Sequence, residues 1–169
     1  MNQNERKIRV YGDWQELRQP IMIGILTAVR IRGKEVFSFE YEKEWLQSNY
    51  SQLDPDLQFF SGRQYLNDDK ANFGMFMDSS PDRWGRLLMR KREAALARKE
   101  QRKENMLFET DYLLGVYDEH RMGALRFKLE ENTPFLNDNR QMAAPPFTSL
   151  RELEQASLKL EENNSRSEE

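Results

Sequence analysis

Residues 21–41, IMIGILTAVRIRGKEVFSFEY, decide the fold. In the first half Ile21, Ile23 and Ile25 alternate with Met22, Gly24 and Leu26, so residues 21–31 read as a long strand that is buried on most of its surface. Arg32-Gly33 has the character of a hairpin turn. Beyond it, in KEVFSFEY, Phe37, Phe39 and Tyr41 point one way while Val36, Ser38 and Glu40 point the other. Alternation on both sides of a two-residue turn predicts an antiparallel hairpin. Residues 8–12, IRVYG, read as a further short strand, so the N-terminal quarter is expected to be an antiparallel sheet.

Moving outward, residues 42–48 with Trp45 and Leu46 predict a short helix closing the sheet. Residues 49–71 show neither helical nor strand period; they contain Pro55, Phe59, Phe60, Gly62 and Tyr65 and read as an irregular loop pinned by its aromatics. The next stretch, NFGMFMDSSPDRWGRLLMRKRE (residues 72–93), predicts one helical turn over residues 73–77 and then a long helix. Ser80 serves as its cap, Pro81 fits the first helical position, and Asp82 sets negative charge at the positive end of the dipole, so the helix is expected to run from Pro81 to about Lys103. Trp84, Leu87, Leu88 and Ala95 share one stripe, while Arg83, Arg86, Arg90, Lys91 and Arg92 fill the rest of the circumference. This pattern predicts a structural Trp84 packed with Leu88, Phe73 and Phe76.

Thr110 and Asp111 predict the cap of a short helix through Tyr112, Leu113 and Leu114, after which Gly123 releases the chain into a strand over residues 124–129. Residues 132–146 read as loop, and a last helix starts at Thr148 or Ser149, with Ser149 and Glu152 at capping-box spacing and Leu150, Leu153 and Leu160 on one side. Residues 161–169, EENNSRSEE, read as a linker or tail. The expected fold class is α+β: one domain over residues 1–160, a small antiparallel curved sheet with packed helices.

With 169 residues the chain fits a single domain with a real core, and its 10 Phe, 6 Tyr and 3 Trp are too many for a disordered chain. The absence of cysteine excludes disulfides, thiolate metal sites and cysteine nucleophiles, and the single histidine, His120, cannot build a multi-histidine metal site. No apolar run reaches signal-peptide or membrane-span length, so a soluble, cytoplasmic protein without membrane contact is expected. The net charge of −3 is unevenly spread: residues 83–103 carry nine Lys/Arg against Glu93 and Glu100, a local +7 that leaves −10 elsewhere. Such a helix can touch phosphate, anionic lipid or an acidic protein surface, or simply be a solvated face.

Familiar catalytic patterns do not occur. The eight glycines are scattered and form no nucleotide-binding loop; Gly115 and Gly123, with Ala124, read as a helix end and a turn. Ser79 or Ser80 with His120 and Asp118 lacks the setting of a hydrolase triad, and Ser80 already has a capping role. Asp54 with Asp56, and Asp68 with Asp69, fit turn geometry better than a metal or acid/base pair. Trp14, Trp45 and Trp84 read as core or interface anchors. No catalytic, cofactor-binding or metal-ligating residue is expected. The candidate site is instead a protein-contact surface made by Ser80, Pro81, Asp82, Arg83, Arg86 and Arg90, complemented by acidic segments such as residues 42–44 or the C-terminal tail.

In order along the chain, VYGDW, IGIL, VFSFEYEKEWL, a Leu-Asp-Pro loop, NFGMFMDSSPDRWGRLLM and ETDYLLGVYDEHRMGALRF resemble the N-terminal region of the HipA family, serine/threonine kinase toxins of bacterial type II toxin–antitoxin systems. The two most specific blocks run over residues 73–86, F-G-x-F-x-D-S-x-P-D-x-W-G-R, and residues 111–125, D-x-L-L-G-x-x-D-x-x-x-G-A-L. The resemblance implies an α+β N-terminal subdomain with a small curved sheet. It also implies a kinase core further on, where the ATP- and Mg-binding groups would lie, so no catalytic residue carries over onto this chain. Two roles follow from the resemblance. In one, the chain is a non-catalytic N-terminal module contacting the kinase core, a HipB-like antitoxin or a second toxin copy, with DNA reached only through the antitoxin. In the other, it is a free-standing HipS-like antitoxin that neutralises a separately encoded kinase.

Overall fold

The hairpin over residues 21–41 anchors the molecule. In the computed structural model, which describes residues 5–48, 52–66, 70–116, 118 and 121–136, β1 spans Glu5–Gly12, β2 Ile21–Ile31 and β3 Lys34–Tyr41. The β2–β3 turn places Arg32 at φ 48° and Gly33 at φ 80°, the left-handed pair that matches the twist of the strands it joins. Leu26 faces Phe39 and Ala28 faces Phe37 across the pair, all four buried. At Gly24 the strands come so close that a Cβ would sit 2.2 Å from the Glu40 carbonyl oxygen and 2.7 Å from the Phe39 ring.

Two further strands complete one antiparallel sheet of order β4-β3-β2-β1-β5. The strand expected after Gly123 is β5 (Leu125–Lys128), paired with Arg9 to Gly12, and Gly123 itself turns the chain at φ 85°. The other, β4 (Arg63–Tyr65), lies in the stretch read as irregular. Three residues are too few to show a period. Its Gln64 side chain is buried and exchanges two 2.8 Å hydrogen bonds with the backbone of Gln58, which fixes the loop against the sheet edge.

The core fills one face of the sheet. Ile8, Val10, Ile23, Leu26, Phe37, Phe39 and Phe127 meet Trp45 of α1 (Lys43–Gln47), Phe73 and Phe76 of the segment forming α2 (Gly74–Asp78), and Leu113 of α4 (Glu109–Leu114). Phe76 is central, its ring centroid 5.6 Å from Phe39 and 6.1 Å from both Phe73 and Phe127. Asp54 is part of this frame: its carboxylate accepts from the backbone N–H of Asp56 at 2.9 Å and of Met75 at 2.7 Å, closing a turn and satisfying the start of α2.

Helix α3 spans Arg83–Lys99, starting two residues later and ending about four earlier than the sequence predicts. Asp82 is the N-cap, accepting from Gly85 N–H at 2.8 Å, while Ser80 donates its hydroxyl to Phe76 O at 2.8 Å and so closes α2 instead. Pro81 stands before the cap rather than inside the helix. At the far end Gln101 adopts φ 52°, and Arg102 N–H reaches back to Ala97 O at 3.0 Å, the left-handed stop of a helix. The cap of α4 is corrected likewise. Phe108 occupies the cap position, and Asp111 accepts its N–H at 3.0 Å, whereas Thr110 lies inside the first turn and donates to Glu35 of β3. The helix expected after Ser149, with Leu150, Leu153 and Leu160, and the tail over residues 161–169 lie outside the described residues, as do His120, Asp68 and Asp69.

Candidate protein-contact site

The inner face of α3 mixes charged and apolar side chains. Met89, Glu93 and Ala97 are its buried residues, at helical spacing, and Arg86 continues the same row. Met89 lies against α4, where a Cβ on Gly115 would come 2.2 Å from its terminal methyl. Arg86 is half-buried and held from several sides: two bonds of 2.6 and 2.8 Å to the Glu109 carboxylate, one of 3.1 Å to Pro81 O, and its guanidinium stacked 4.7 Å from the Tyr112 ring centroid. The bond to Glu109 raises its pKa above the ordinary arginine range. The exposure expected of Arg86 is therefore corrected: this side chain locks the start of α3 onto α4.

Further along, Arg102 turns back to grip Glu93, its Nη1 at 2.5 Å and Nη2 at 3.1 Å, with Asn105 N–H adding a third bond at 2.8 Å. Those bonds pull the Glu93 carboxyl down to about 2, against its own burial, which acts the other way.

The expected packing of Trp84 is also corrected. Trp84, Leu87 and Leu88 are half-buried and Ala95 is exposed, and none belongs to the core cluster that holds Phe73 and Phe76. With about 100° per residue, Trp84 stands about 180° from Glu93, and Leu88 and Ala95 about 140° and 160° from it. The apolar stripe read as the packing face is thus half-buried and lies outside the core cluster. Around it Arg83, Arg90, Lys91 and Arg98 are exposed, and none has a carboxylate partner among the described residues. At the N-terminal end a shallow cleft of about 430 Å³ is lined by Met77, Pro81, Asp82, Arg83, Arg86 and Arg90. The structure therefore gathers the candidate residues Pro81, Asp82, Arg83 and Arg90 around one depression, and leaves Ser80 in the α2 end.

Three features carried no local sequence signal. Arg121 is buried and donates to Ser79 O and Leu113 O, both at 2.9 Å, and to Val116 O at 3.1 Å, while lying 4.5 Å from the Phe127 ring centroid. Asp111 bridges Arg6 of β1 and Arg30 of β2, at 2.9 Å each, tying α4 to the sheet. A second, apolar cleft of about 600 Å³ opens between Trp14, Leu53, Met75, Met122 and Leu125.

Among the described residues no group of three or more His, Cys, Asp or Glu could hold a metal ion, and no helix is long and apolar enough to cross a membrane. No protein-family model, curated protein or solved structure matches the chain.

Proposed function

We propose that the chain is a non-catalytic binding module of the kind found at the N-terminus of HipA-like kinase toxins, acting in the bacterial cytoplasm through contacts with a kinase core, a HipB-like antitoxin or a second toxin copy. The α+β fold and the two long sequence blocks over residues 73–86 and 111–125 support the reading. The observation that carries it is the construction of α3. Polar locks through Arg86 and Glu93 hold this helix from the inside, leaving Arg83 and Arg90 exposed beside the half-buried Trp84. A surface ordered before binding loses little entropy on association.

The test is co-purification with a HipA-like kinase core that lacks its own N-terminal region. Association is expected, and Arg83→Glu with Arg90→Glu weakens it without lowering thermal stability, because neither side chain has a structural partner among the described residues. Association unaffected by the double reversal at low salt refutes this surface. Calorimetry with Mg-ATP is expected to show no binding to the chain alone; a micromolar dissociation constant overturns the non-catalytic reading.

A further inference from the structure

An amphipathic helix on a domain surface normally turns its apolar stripe to the core and its charges to water. Helix α3 does this only in part: Met89 and Ala97 are buried, but so is Glu93, and Trp84, Leu87 and Leu88 are only half-buried. Its inner row is Arg86, Met89, Glu93 and Ala97, and its outer stripe is Trp84, Leu87, Leu88 and Ala95. Burying the inner row satisfies charges inside the protein, through Glu109 for Arg86 and through Arg102 and Asn105 for Glu93. It leaves the larger apolar side chains without a place in the core.

We infer that this outer stripe receives an acidic amphipathic helix from a partner protein. The inference rests on the reading of α3 as a contact surface and specifies the chemistry of what it contacts. Trp84, Leu87 and Leu88 stand at i, i+3 and i+4, the spacing with which one helix presents a ridge to another. Two turns on, Ala94 and Ala95 are small and let a second backbone approach closely. The charges choose the sign of the partner. Arg83, Arg90, Lys91 and Arg98 flank the stripe with no carboxylate against them among the described residues, while Glu93 is turned inward and Glu100 is bound to Arg102 at 2.7 Å. A helix with leucines along one face and glutamates beside them covers the apolar stripe and neutralises the flanking cations together. A nucleic-acid duplex would meet the cations but leave Trp84, Leu87 and Leu88 uncovered, since its backbone offers phosphate and sugar rather than an apolar ridge.

The experiment is calorimetric titration of the full chain with a synthetic helical peptide of about 22 residues, long enough to hold helix, with leucines at i, i+3, i+4 and i+7 spacing and glutamates on either side. The expected result is binding that weakens with added salt and weakens about tenfold or more in the Lys91→Glu, Arg98→Glu variant. Neutral Lys91→Gln, Arg98→Gln is expected to give a smaller loss, and both variants keep the circular dichroism and melting temperature of the parent. A peptide of the same composition in scrambled order, and one with lysine in place of glutamate, are expected not to bind. Equal binding of the scrambled peptide, indifference to the charge reversals, or binding of a DNA duplex in place of the acidic peptide overturns the inference. If the acidic peptide fails while association with the kinase core still depends on Arg83 and Arg90, the inference falls and the proposed function stands. If both fail, the proposed function falls as well.

Discussion

Replacing Arg121 by methionine tests the interior of the molecule directly. The side chain is 9% exposed and supplies the only described side-chain donors to three main-chain carbonyls, Ser79 O and Leu113 O at 2.9 Å and Val116 O at 3.1 Å. Methionine fills similar volume but donates nothing. Leaving a buried carbonyl unsatisfied costs about 1–3 kcal/mol, so three give a gross loss of about 3–9 kcal/mol. Against this stands the relief of burying a cation. Desolvation lowers the Arg121 pKa well below the ordinary arginine range, to about 10, and at about 1.4 kcal/mol per pH unit that relief is roughly 3 kcal/mol. The expected net destabilisation is about 3 kcal/mol, a large part of the roughly 5–15 kcal/mol that holds a domain together. Equilibrium urea unfolding reads it as a lower midpoint with an unchanged slope. Arg121→Lys keeps the charge but cannot span three carbonyls with a planar fork, and is expected to lose a comparable amount. A loss below about 1 kcal/mol in both variants would refute the account of Arg121 as the joint between the ends of α2 and α4.

Three further outcomes follow from other residues. Because the Glu93 pKa is depressed from 4.5 to about 2, its contribution to stability is fully present above about pH 4.5 and is lost as pH falls toward about 2; urea midpoints between pH 5 and pH 2.5 should fall more steeply in the parent than in Glu93→Gln, and equal slopes contradict the Arg102 clamp. Gly24→Ala forces a Cβ to within 2.2 Å of the Glu40 carbonyl oxygen, so a destabilisation of several kcal/mol is expected in thermal melts, and a parent-like melt would show that β2 and β3 separate freely. Arg86→Gln should destabilise by about 1–3 kcal/mol through the loss of the forked bond to Glu109, whereas Arg83→Gln should be nearly neutral; the reverse ranking in chemical denaturation sinks the distinction between lock and free cation.

How much of this was legible in the sequence depends on the range of the interaction. The hairpin was readable to the residue, because period-two alternation and a turn with two left-handed residues are local signals, and β2 and β3 begin and end where they were expected. The start of α3 was displaced because Ser80 and Asp82 are both competent caps; the sequence does not show that the Ser80 hydroxyl is taken by Phe76 O. The buried row of α3 was missed for a longer-range reason. Its anchors are Arg86 with Glu109 and Glu93 with Arg102, pairs 23 and 9 residues apart, and hydrophobic periodicity has no term for them. Arg121 escaped notice because its partners are backbone carbonyls, which every residue carries. Of the candidate site residues, Pro81, Asp82, Arg83 and Arg90 line one cleft, while Arg86, which also reaches it, is bonded to Glu109.

The position of β5 beside β1 has a consequence for synthesis. Val10 pairs with Phe127, and Arg126 reaches Asp13 across 113 residues of chain. The meander β1–β2–β3 can form early from neighbouring sequence, but the outer edge of β1 at Arg9 to Gly12 has no neighbour until more than a hundred further residues have been made. During that interval a nascent chain displays an open hydrogen-bonding edge next to Val10 and Ile8, both wholly buried in the finished protein. Arg6, Lys7 and Arg9 lie along the same strand, so two copies meeting edge to edge at β1 would bring like charges together, which opposes that pairing; in the finished fold Arg6 instead meets Asp111 and Arg9 meets Glu131.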